Sequence, residues 1–260
     1  MMSRTSANSF SSRIAPLLGG LIGALLLIVF GVTGASARSV DLGPLSGEVW
    51  GSGNRNLVVI LHGDGGPGRY DRFAAHIANT TPATTVVTLT RPAFRGASGS
   101  SPGQNRSRDH YTPRNNALLA DSLRAMDASL QPRRFIVLGH SGGAAQLATV
   151  IATHPGTVDT ALLLACPCDV PRWRMHRRGV NNWRQSQSPL EFAGRVPRGT
   201  RVLALTMERD ANTRPRFVEG YVETARAHGA TISLSIPPGG SHSWNSYAPH
   251  ADALIRQALQ

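Results

Sequence analysis

The chain has 260 residues and a formal net charge of +12, and all 27 of its basic residues are arginines. This length suits one domain with a substantial hydrophobic core. The charge is compatible with nucleic-acid binding, but the chain has no basic helix, no basic run with interleaved aromatic residues and no nucleic-acid-binding motif. No nucleic-acid partner is therefore predicted.

Residues 1–37 have the pattern of a signal peptide. Arg4 and Arg13 make the segment positive without any acidic residue, Ile14–Val32 is apolar apart from glycines and one proline, and Ala35-Ser36-Ala37 matches a small-x-small cleavage site. The pattern predicts cleavage after this site and a periplasmic or secreted mature protein. Because the apolar run is also just long enough to span a bilayer, an uncleaved membrane anchor over residues 14–32 is the alternative.

Over residues 38–260, apolar runs alternate with helical patterns, which is typical of an α/β domain with a mostly parallel central sheet and helices on both faces. The predicted strands are Leu57–Leu61, Thr84–Thr90, Phe135–Leu138, Ala161–Ala165, Val202–Met207 and Thr231–Ile236. The predicted helices are about Arg72–Asn79, Arg114–Ser129, Gly142–Thr153, Pro215–His228 and Ala248–Leu259. Residues 39–50 are expected to add one or two antiparallel edge strands, and residues 171–198 have the weakest pattern.

The motif Gly-His-Ser-Gly-Gly at residues 139–143 follows a predicted strand and precedes a predicted helix. A strand that turns sharply into a helix strains the central serine, Ser141, and exposes its hydroxyl, and side chains at either end of the turn would collide. The amide of Gly142 would lie at the helix N-terminus, where it can hold an oxyanion. The alternative is a glycine-rich turn whose serine caps a helix. A second match, around Ser101, lies in a stretch rich in glycine, serine and proline and is interpreted as a loop.

The two cysteines, Cys166 and Cys168, are separated by one proline. An exported protein meets oxidising conditions, but a disulfide across a single residue is short and strained. The spacing therefore favours two ordinary thiols, with a disulfide as the alternative. Two thiols without a suitably spaced histidine pair do not suit a metal site, so no metal is predicted.

Polar residues follow the later predicted strands. Asp210 follows the fifth strand and His242 follows the sixth, and residues at such positions meet at one edge of a parallel sheet. A serine hydroxyl is a weak nucleophile that needs a base titrating near the working pH, which histidine supplies. Asp169, after the fourth strand, is the alternative acid, and Glu208 is a further one.

This order of serine, acid and histidine resembles that of the α/β-hydrolase superfamily, and the resemblance covers nearly all of residues 38–260. It implies Ser141 as the nucleophile, His242 as general base and acid, and Asp210 as the group that orients the histidine. It implies no cofactor and no metal.

The loop His-Gly-Asp-Gly-Gly-Pro-Gly at residues 62–68 begins like the oxyanion loop of esterases and peptidases in this superfamily. Glycines let backbone amides approach a substrate oxygen, and the resemblance implies the amides of Asp64 and Gly142 as the oxyanion hole. The loop is also similar to the His-Gly-Gly-Pro-Gly of proline iminopeptidases, with Asp64 intruding.

The segment between the fourth and fifth predicted strands lies where this superfamily often places a cap, and here the cap is short, over about residues 171–198. Such a lid could attract an anionic substrate or contact an anionic surface, and the alternative is a solvated loop whose arginines reflect genome composition. Its charged and aromatic residues are Arg172, Trp173, Arg174, Arg177, Arg178, Trp183, Arg184, Glu191 and Arg195.

Together these patterns predict an exported serine hydrolase that cleaves a small or medium carboxylic ester through an acyl-enzyme. One alternative is a non-catalytic, envelope-associated binding protein on a hydrolase scaffold. Another is an acyltransferase or aminopeptidase that uses the same three residues. The expected partner is a small-molecule ester or acyl compound, and its identity depends on loop shapes that one sequence does not reveal.

Overall fold

The computed structural model describes residues 40–260. The predicted signal peptide over residues 1–37, with its alternative as an anchor over residues 14–32, lies outside the described residues. Within residues 40–260, no helix combines the length and the apolar character that crossing a membrane requires.

A mostly parallel sheet organises the described part of the chain. The strands are β1 (Gly47–Trp50), β2 (Asn56–Leu61), β3 (Thr84–Leu89), β4 (Arg95–Gly96), β5 (Gly99–Ser100), β6 (Arg134–His140), β7 (Thr160–Leu164), β8 (Arg201–Leu205) and β9 (Thr231–Ser235). Seven strands form one sheet in the order β1-β3-β2-β6-β7-β8-β9, and β4 pairs with β5. β1 is antiparallel to β3, and the other neighbouring pairs in the large sheet are parallel. The predicted α/β sheet with an antiparallel edge strand is confirmed.

Helices cover both faces of this sheet. They are α1 (Asp71–Thr80), α2 (Pro113–Leu130), α3 (Gly142–Thr153), α4 (Val170–Arg178), α5 (Pro189–Phe192), α6 (Arg216–Ala227) and α7 (Trp244–Leu259), with a 3-10 turn at Ala193–Arg195. Buried residues of α2, α3 and α6 form one core with the sheet, and those of α1 and α7 form a second core on its other face.

This layering explains the continuous apolar runs in the central strands. In β2, Leu57, Val59 and Leu61 pack against the core of α2, α3 and α6, whereas Val58 and Ile60 pack against the core of α1 and α7. Because successive side chains of a strand point to opposite faces, a strand covered on both faces is apolar at every position. β9 lies at the sheet edge, and its side chains alternate between exposed and half-buried.

Two segments are more helical than their patterns predict. α7 begins at Trp244, about one turn before its predicted start. α4 occupies the beginning of the predicted cap, where Asp169 accepts a hydrogen bond from the amide of Arg172 and Gly179 ends the helix in the left-handed conformation. Caps of this kind stabilise a short helix that has little hydrophobic periodicity.

Cys166 and Cys168 form a disulfide, and residues 40–260 contain no free cysteine. The expectation of two ordinary thiols is therefore wrong. The chain turns at Pro167, so the two cysteines lie closer together than residues i and i+2 of an extended strand. The two Cα atoms lie 5.1 Å apart, which is within the usual range for a disulfide.

Candidate active site

Three loops at the carboxyl edge of the sheet bring together Ser141, Asp210 and His242. Ser141 directly follows β6, Asp210 lies in the loop after β8, and His242 lies between β9 and α7. His242 Nε2 is 3.0 Å from Ser141 Oγ, and His242 Nδ1 is 2.8 Å from Asp210 Oδ2. The three side chains form one continuous hydrogen-bonded series at the edge where open α/β sheets bind ligands.

Ser141 occupies a strained turn between β6 and α3. Its backbone has a φ of 55° and a ψ of −119°, a conformation that residues other than glycine rarely adopt. The amide of Ser141 donates to the carbonyl of Leu164 at 2.8 Å, which holds the turn against β7. A side chain at Gly139 would collide with the backbone of Gly143, and one at Gly143 would collide with the backbone of Leu61. The sharp turn therefore needs both glycines.

The second sequence match has a different environment. Ser101 directly follows β5 and is buried. Its hydroxyl donates to the carbonyl of Thr90 at 2.6 Å and accepts from the amide of Ser46 at 3.0 Å. These bonds give Ser101 a structural role away from the site of Ser141.

Asp210 is buried and accepts an unusually large number of hydrogen bonds. The donors are the amides of Asn212 and Thr213, the hydroxyls of Thr213 and Tyr247, and His242 Nδ1, all at 2.8 Å or less. Burial opposes ionisation, but the hydrogen bond and charge of His242, with these other donors, lower the pKa of Asp210 to about 2. Asp210 is therefore a carboxylate near neutral pH and holds the Nδ1 proton of His242.

The alternative acids lie elsewhere. The carboxylate of Asp169 accepts from the amide of Arg172 at the start of α4. Glu208 is exposed, and its carboxylate accepts from the amide of Gly239. In the described residues the only carboxylate bonded to His242 is that of Asp210.

A buried neutral histidine lies behind His242. The hydroxyl of Tyr70 accepts from the amide of Gly63 and forms a hydrogen bond with His140 Nδ1 at 2.9 Å. Burial, reinforced by the charge of His242, lowers the pKa of His140 to about 3. The two histidine rings stack with centroids 5.3 Å apart. A neutral His140 supports the ring of His242 without repelling the positive charge that His242 gains on protonation.

The predicted oxyanion donors lie on two adjoining segments. Gly142 begins α3, and a side chain there would collide with the carboxylate of Asp64. Within residues 40–260, neither the amide of Gly142 nor that of Asp64 donates to a backbone carbonyl. Two amides beside a serine hydroxyl, one of them in the first turn of a helix, can stabilise a negatively charged oxygen.

Arg91, which the sequence analysis did not single out, holds this loop in place. Its side chain is fully buried and donates to Gln146 Oε1 at 2.7 Å, to the carbonyl of His62 at 2.7 Å and to Asp64 Oδ1 at 3.0 Å. The hydroxyl of Tyr111 donates to Asp64 Oδ2 at 2.8 Å. We call Arg91, Asp64, Tyr111, Gln146 and His62 the Arg91 network. Arg91 follows β3 at the same sheet edge as the other site residues, and this position is the signal that could have identified it.

The charges of the Arg91 network are mutually compensated. Burial opposes ionisation of Asp64, but the Arg91 charge and the Tyr111 hydroxyl hold the pKa of that carboxyl below its ordinary value. Burial, with the charge of Arg91, lowers the pKa of His62 to about 3. The network therefore contains one cation and one anion near neutral pH, together with a neutral imidazole.

A cleft of about 530 Å³ opens above Ser141 and His242. Its walls include Trp173 and Trp183 from the cap segment and Phe94 from the loop before β4. The indole nitrogen of Trp173 donates to Asn212 Oδ1 at 3.0 Å, which ties α4 to the loop that carries Asp210. A cleft of this size accommodates a small or medium organic molecule.

A protein-family model described as the alpha/beta hydrolase family matches residues 58–257. This range contains Ser141, Asp210 and His242. A search of curated protein sequences found no match.

Solved structures share the fold. Esterase PE8 is 19% identical with a TM-score of 0.61, and the match covers 82% of this chain and 99% of that one. A monoacylglycerol lipase from Paleococcus ferrophilus is 16% identical with a TM-score of 0.57, covering 83% and 98%. A proline iminopeptidase from Mycobacterium smegmatis is 16% identical with a TM-score of 0.58, covering 86% and 98%. At these identities the likeness concerns the fold.

Proposed function

Because the chain belongs to the alpha/beta hydrolase family, we propose that it is a serine hydrolase that cleaves a small or medium carboxylic ester. The observation that carries the proposal is the hydrogen-bonded series from Asp210 through His242 to Ser141, with separations of 2.8 and 3.0 Å. Nucleophile, base and orienting acid need contacts of this length for proton transfer.

In the first half of the reaction, Ser141 Oγ attacks the ester carbonyl carbon while His242 Nε2 takes the hydroxyl proton. The carbonyl oxygen becomes an oxyanion, which accepts hydrogen bonds from the amides of Gly142 and Asp64. The carboxylate of Asp210 stabilises the imidazolium through Nδ1. The intermediate collapses as the alkoxide leaves with the proton from His242 Nε2, and an acyl group stays on Ser141.

In the second half, His242 Nε2 takes a proton from water, and the resulting hydroxide attacks the acyl carbon. The same amides hold the second oxyanion. Its collapse breaks the bond to Ser141 Oγ, which recovers its proton from His242. A carboxylic acid leaves, and the enzyme returns to its starting state.

A fluorophosphonate probe and hydrolysis of p-nitrophenyl acetate test this assignment. Ser141→Ala is expected to abolish labelling and to lower kcat/KM by at least about 1,000-fold. Ser101→Ala, the serine of the second sequence match, is the matched control and is expected to keep both signals. Equal signals in the wild type and the Ser141→Ala variant would show that the proposed mechanism is wrong.

Export is a separate proposal, and two features support it. Residues 1–37 have a positive start, an apolar run and a small-x-small site. The disulfide between Cys166 and Cys168 is of a kind that persists in oxidising compartments. The protein can be purified from the periplasm or from the culture medium of its natural host. Mass spectrometry of this protein is expected to find Arg38 at the N-terminus. A full-length chain in the membrane fraction would instead support an anchor over residues 14–32.

A further inference from the structure

The rim of the cleft carries a set of arginines that we call the rim cluster: Arg69, Arg108, Arg174, Arg177 and Arg178. No member of the rim cluster forms an ion pair with a carboxylate in residues 40–260. Among the described residues that line the cleft, the one acidic side chain is Asp64, and it is already paired with Arg91. The positive charge of the rim is therefore not neutralised by ion pairs, although Asp109 and Asp64 lie near enough to Arg174 to favour its charged form.

Three separate segments contribute to the rim cluster. Arg69 lies in the loop before α1, and Arg108 lies in the loop before α2. Arg177 and Arg178 lie three and four positions after Arg174 on α4, so all three line the same side of that helix. Like charges brought together in one cleft repel each other. A bound anion would remove this repulsion.

Arg174 is held in place and retains an unused donor. Its guanidinium lies 4.4 Å from the centre of the Trp183 ring, and Nη2 donates to Asn182 Oδ1 at 2.7 Å. Its Nε is buried without a hydrogen-bond partner in the described residues. Burial, and then the nearby charge of Arg178, lower the pKa of Arg174. A negatively charged group in the cleft would offset the effect of the Arg178 charge.

The walls next to the rim cluster are aromatic. Trp173 and Trp183 are buried, and Phe94 is half-buried. Aromatic walls bind an apolar body, and guanidinium groups bind carboxylate or phosphate oxygens. A ligand that fits both has an organic part and an anionic end.

We propose that the ester cleaved at Ser141 carries an anionic group, a carboxylate or a phosphate, that binds the rim cluster. This inference rests on the proposed function and specifies its substrate class. The anionic group belongs to the acid or to the alcohol part of the ester, and the two arms of the test separate these cases.

Two matched pairs of esters test the proposal. Mono-p-nitrophenyl adipate and p-nitrophenyl hexanoate have acyl chains of equal length and differ in a terminal carboxylate. p-Acetoxybenzoate and phenyl acetate place the same difference in the alcohol part. In at least one pair, kcat/KM for the anionic ester is expected to exceed that of its neutral partner by about tenfold or more. No preference in either pair would overturn the inference and leave the proposed function intact.

A double variant assigns the preference to the rim cluster. Arg177→Gln with Arg178→Gln is expected to bring the ratio of anionic to neutral kcat/KM close to one, mainly through KM. The matched control removes two exposed cap arginines that do not line the cleft, with Arg172→Gln and Arg184→Gln, and is expected to keep the ratio. An equal loss of preference in both double variants would show that general charge, and not the rim cluster, attracts the substrate.

Calorimetry with the Ser141→Ala variant separates binding from chemistry. In at least one pair, the anionic ester is expected to bind about tenfold more tightly than its neutral partner. If no ester is hydrolysed by the wild type but this difference in binding is found, the proposed function is wrong and the anionic site is supported. Equal binding of both members in both pairs overturns the inference.

Discussion

Arg91 and the rim cluster use the same type of side chain in opposite ways, one in the buried network that holds Asp64 and the other at the rim of the cleft. At the sheet edge, Arg91 is fully buried, and its guanidinium bonds to a carboxylate, a carbonyl and an amide oxygen. On α4, Arg177 and Arg178 are exposed and have no carboxylate partner in the described residues. Burying a charge without partners costs several kcal/mol, about the stability of a small domain, whereas an exposed charge costs little.

The comparison separates two regions. The first is the Arg91 network together with the buried Asp210 and His140, which we call the completed side because its charged groups are paired inside the fold. The second is the rim cluster, which a ligand would complete.

Substitution of Asp210 is expected to have the largest effect of any change on the completed side. Asp210→Asn keeps the size of the side chain but favours the wrong tautomer of His242, so kcat is expected to fall by about 1,000- to 10,000-fold. Steady-state hydrolysis of p-nitrophenyl acetate measures the loss. Glu208→Gln, an exposed neighbour, is the control and is expected to keep wild-type kcat. Similar effects of the two changes would exclude Asp210 as the orienting acid.

Removing Arg91 should break the completed side without touching the reacting atoms. Arg91→Met leaves the carboxylate of Asp64 without its cation, so the free energy of unfolding is expected to fall by about 3 to 5 kcal/mol. Urea denaturation measures this change. Adding Asp64→Asn removes the uncompensated charge and should recover part of the loss. Arg177→Gln, on the rim, is expected to change the free energy of unfolding by less than about 0.5 kcal/mol. A loss as large as that of Arg91→Met would contradict the proposed difference between the buried network and the exposed rim.

The completed side should also make the fold sensitive to acid. Burial lowers the pKa of both His62 and His140 to about 3, from an ordinary value of 6.5. Between these values the unfolded chain binds protons that the folded protein does not, so stability is lost as the pH falls below 6.5. From pH 7 to pH 5, the free energy of unfolding is expected to drop by about 2 kcal/mol for each histidine.

Urea denaturation at the two pH values measures this dependence. His76 is exposed, so His76→Gln serves as the control and should show the same drop as the wild type. Equal unfolding free energies at pH 7 and pH 5 would contradict the neutral state assigned to the two buried histidines.

Salt gives the smallest expected effect and acts on the rim alone. Raising the ionic strength from about 0.02 M to about 0.5 M shortens the Debye length from about 20 Å to about 4 Å. The kcat/KM of the preferred anionic ester should fall several-fold, while that of its neutral partner stays within error. Parallel losses for both esters would show a general effect of salt on the enzyme and would contradict a selective attraction of the anionic ester by the rim cluster.

Much of the fold and part of the site were predictable because both depend on local patterns. Apolar runs such as Leu57–Leu61 mark strands that are covered on both faces, and the glycines of residues 139–143 mark a sharp turn between a strand and a helix. Asp210 and His242 could be identified because each follows a strand of a parallel sheet. Separation along the chain does not give the distance between two side chains in space, so only the structure shows that Asp210, His242 and Ser141 are hydrogen-bonded.

Long-range contacts account for what the sequence did not show. The Arg91 network joins residues from the ends of β2 and β3, from α3 and from the loop before α2. The position of Arg91 after β3 marks it as a residue of the sheet edge, but no local pattern shows that its side chain will be fully buried. The disulfide between Cys166 and Cys168 and the caps of α4 depend on backbone geometry that composition does not reveal. The sequence by itself determined the layered sheet and the residue types at its edge, because hydrophobic periodicity and glycine are local. Which of the described charges are paired and which have no carboxylate partner became visible only in the folded structure, because pairing depends on distances between segments remote in the chain.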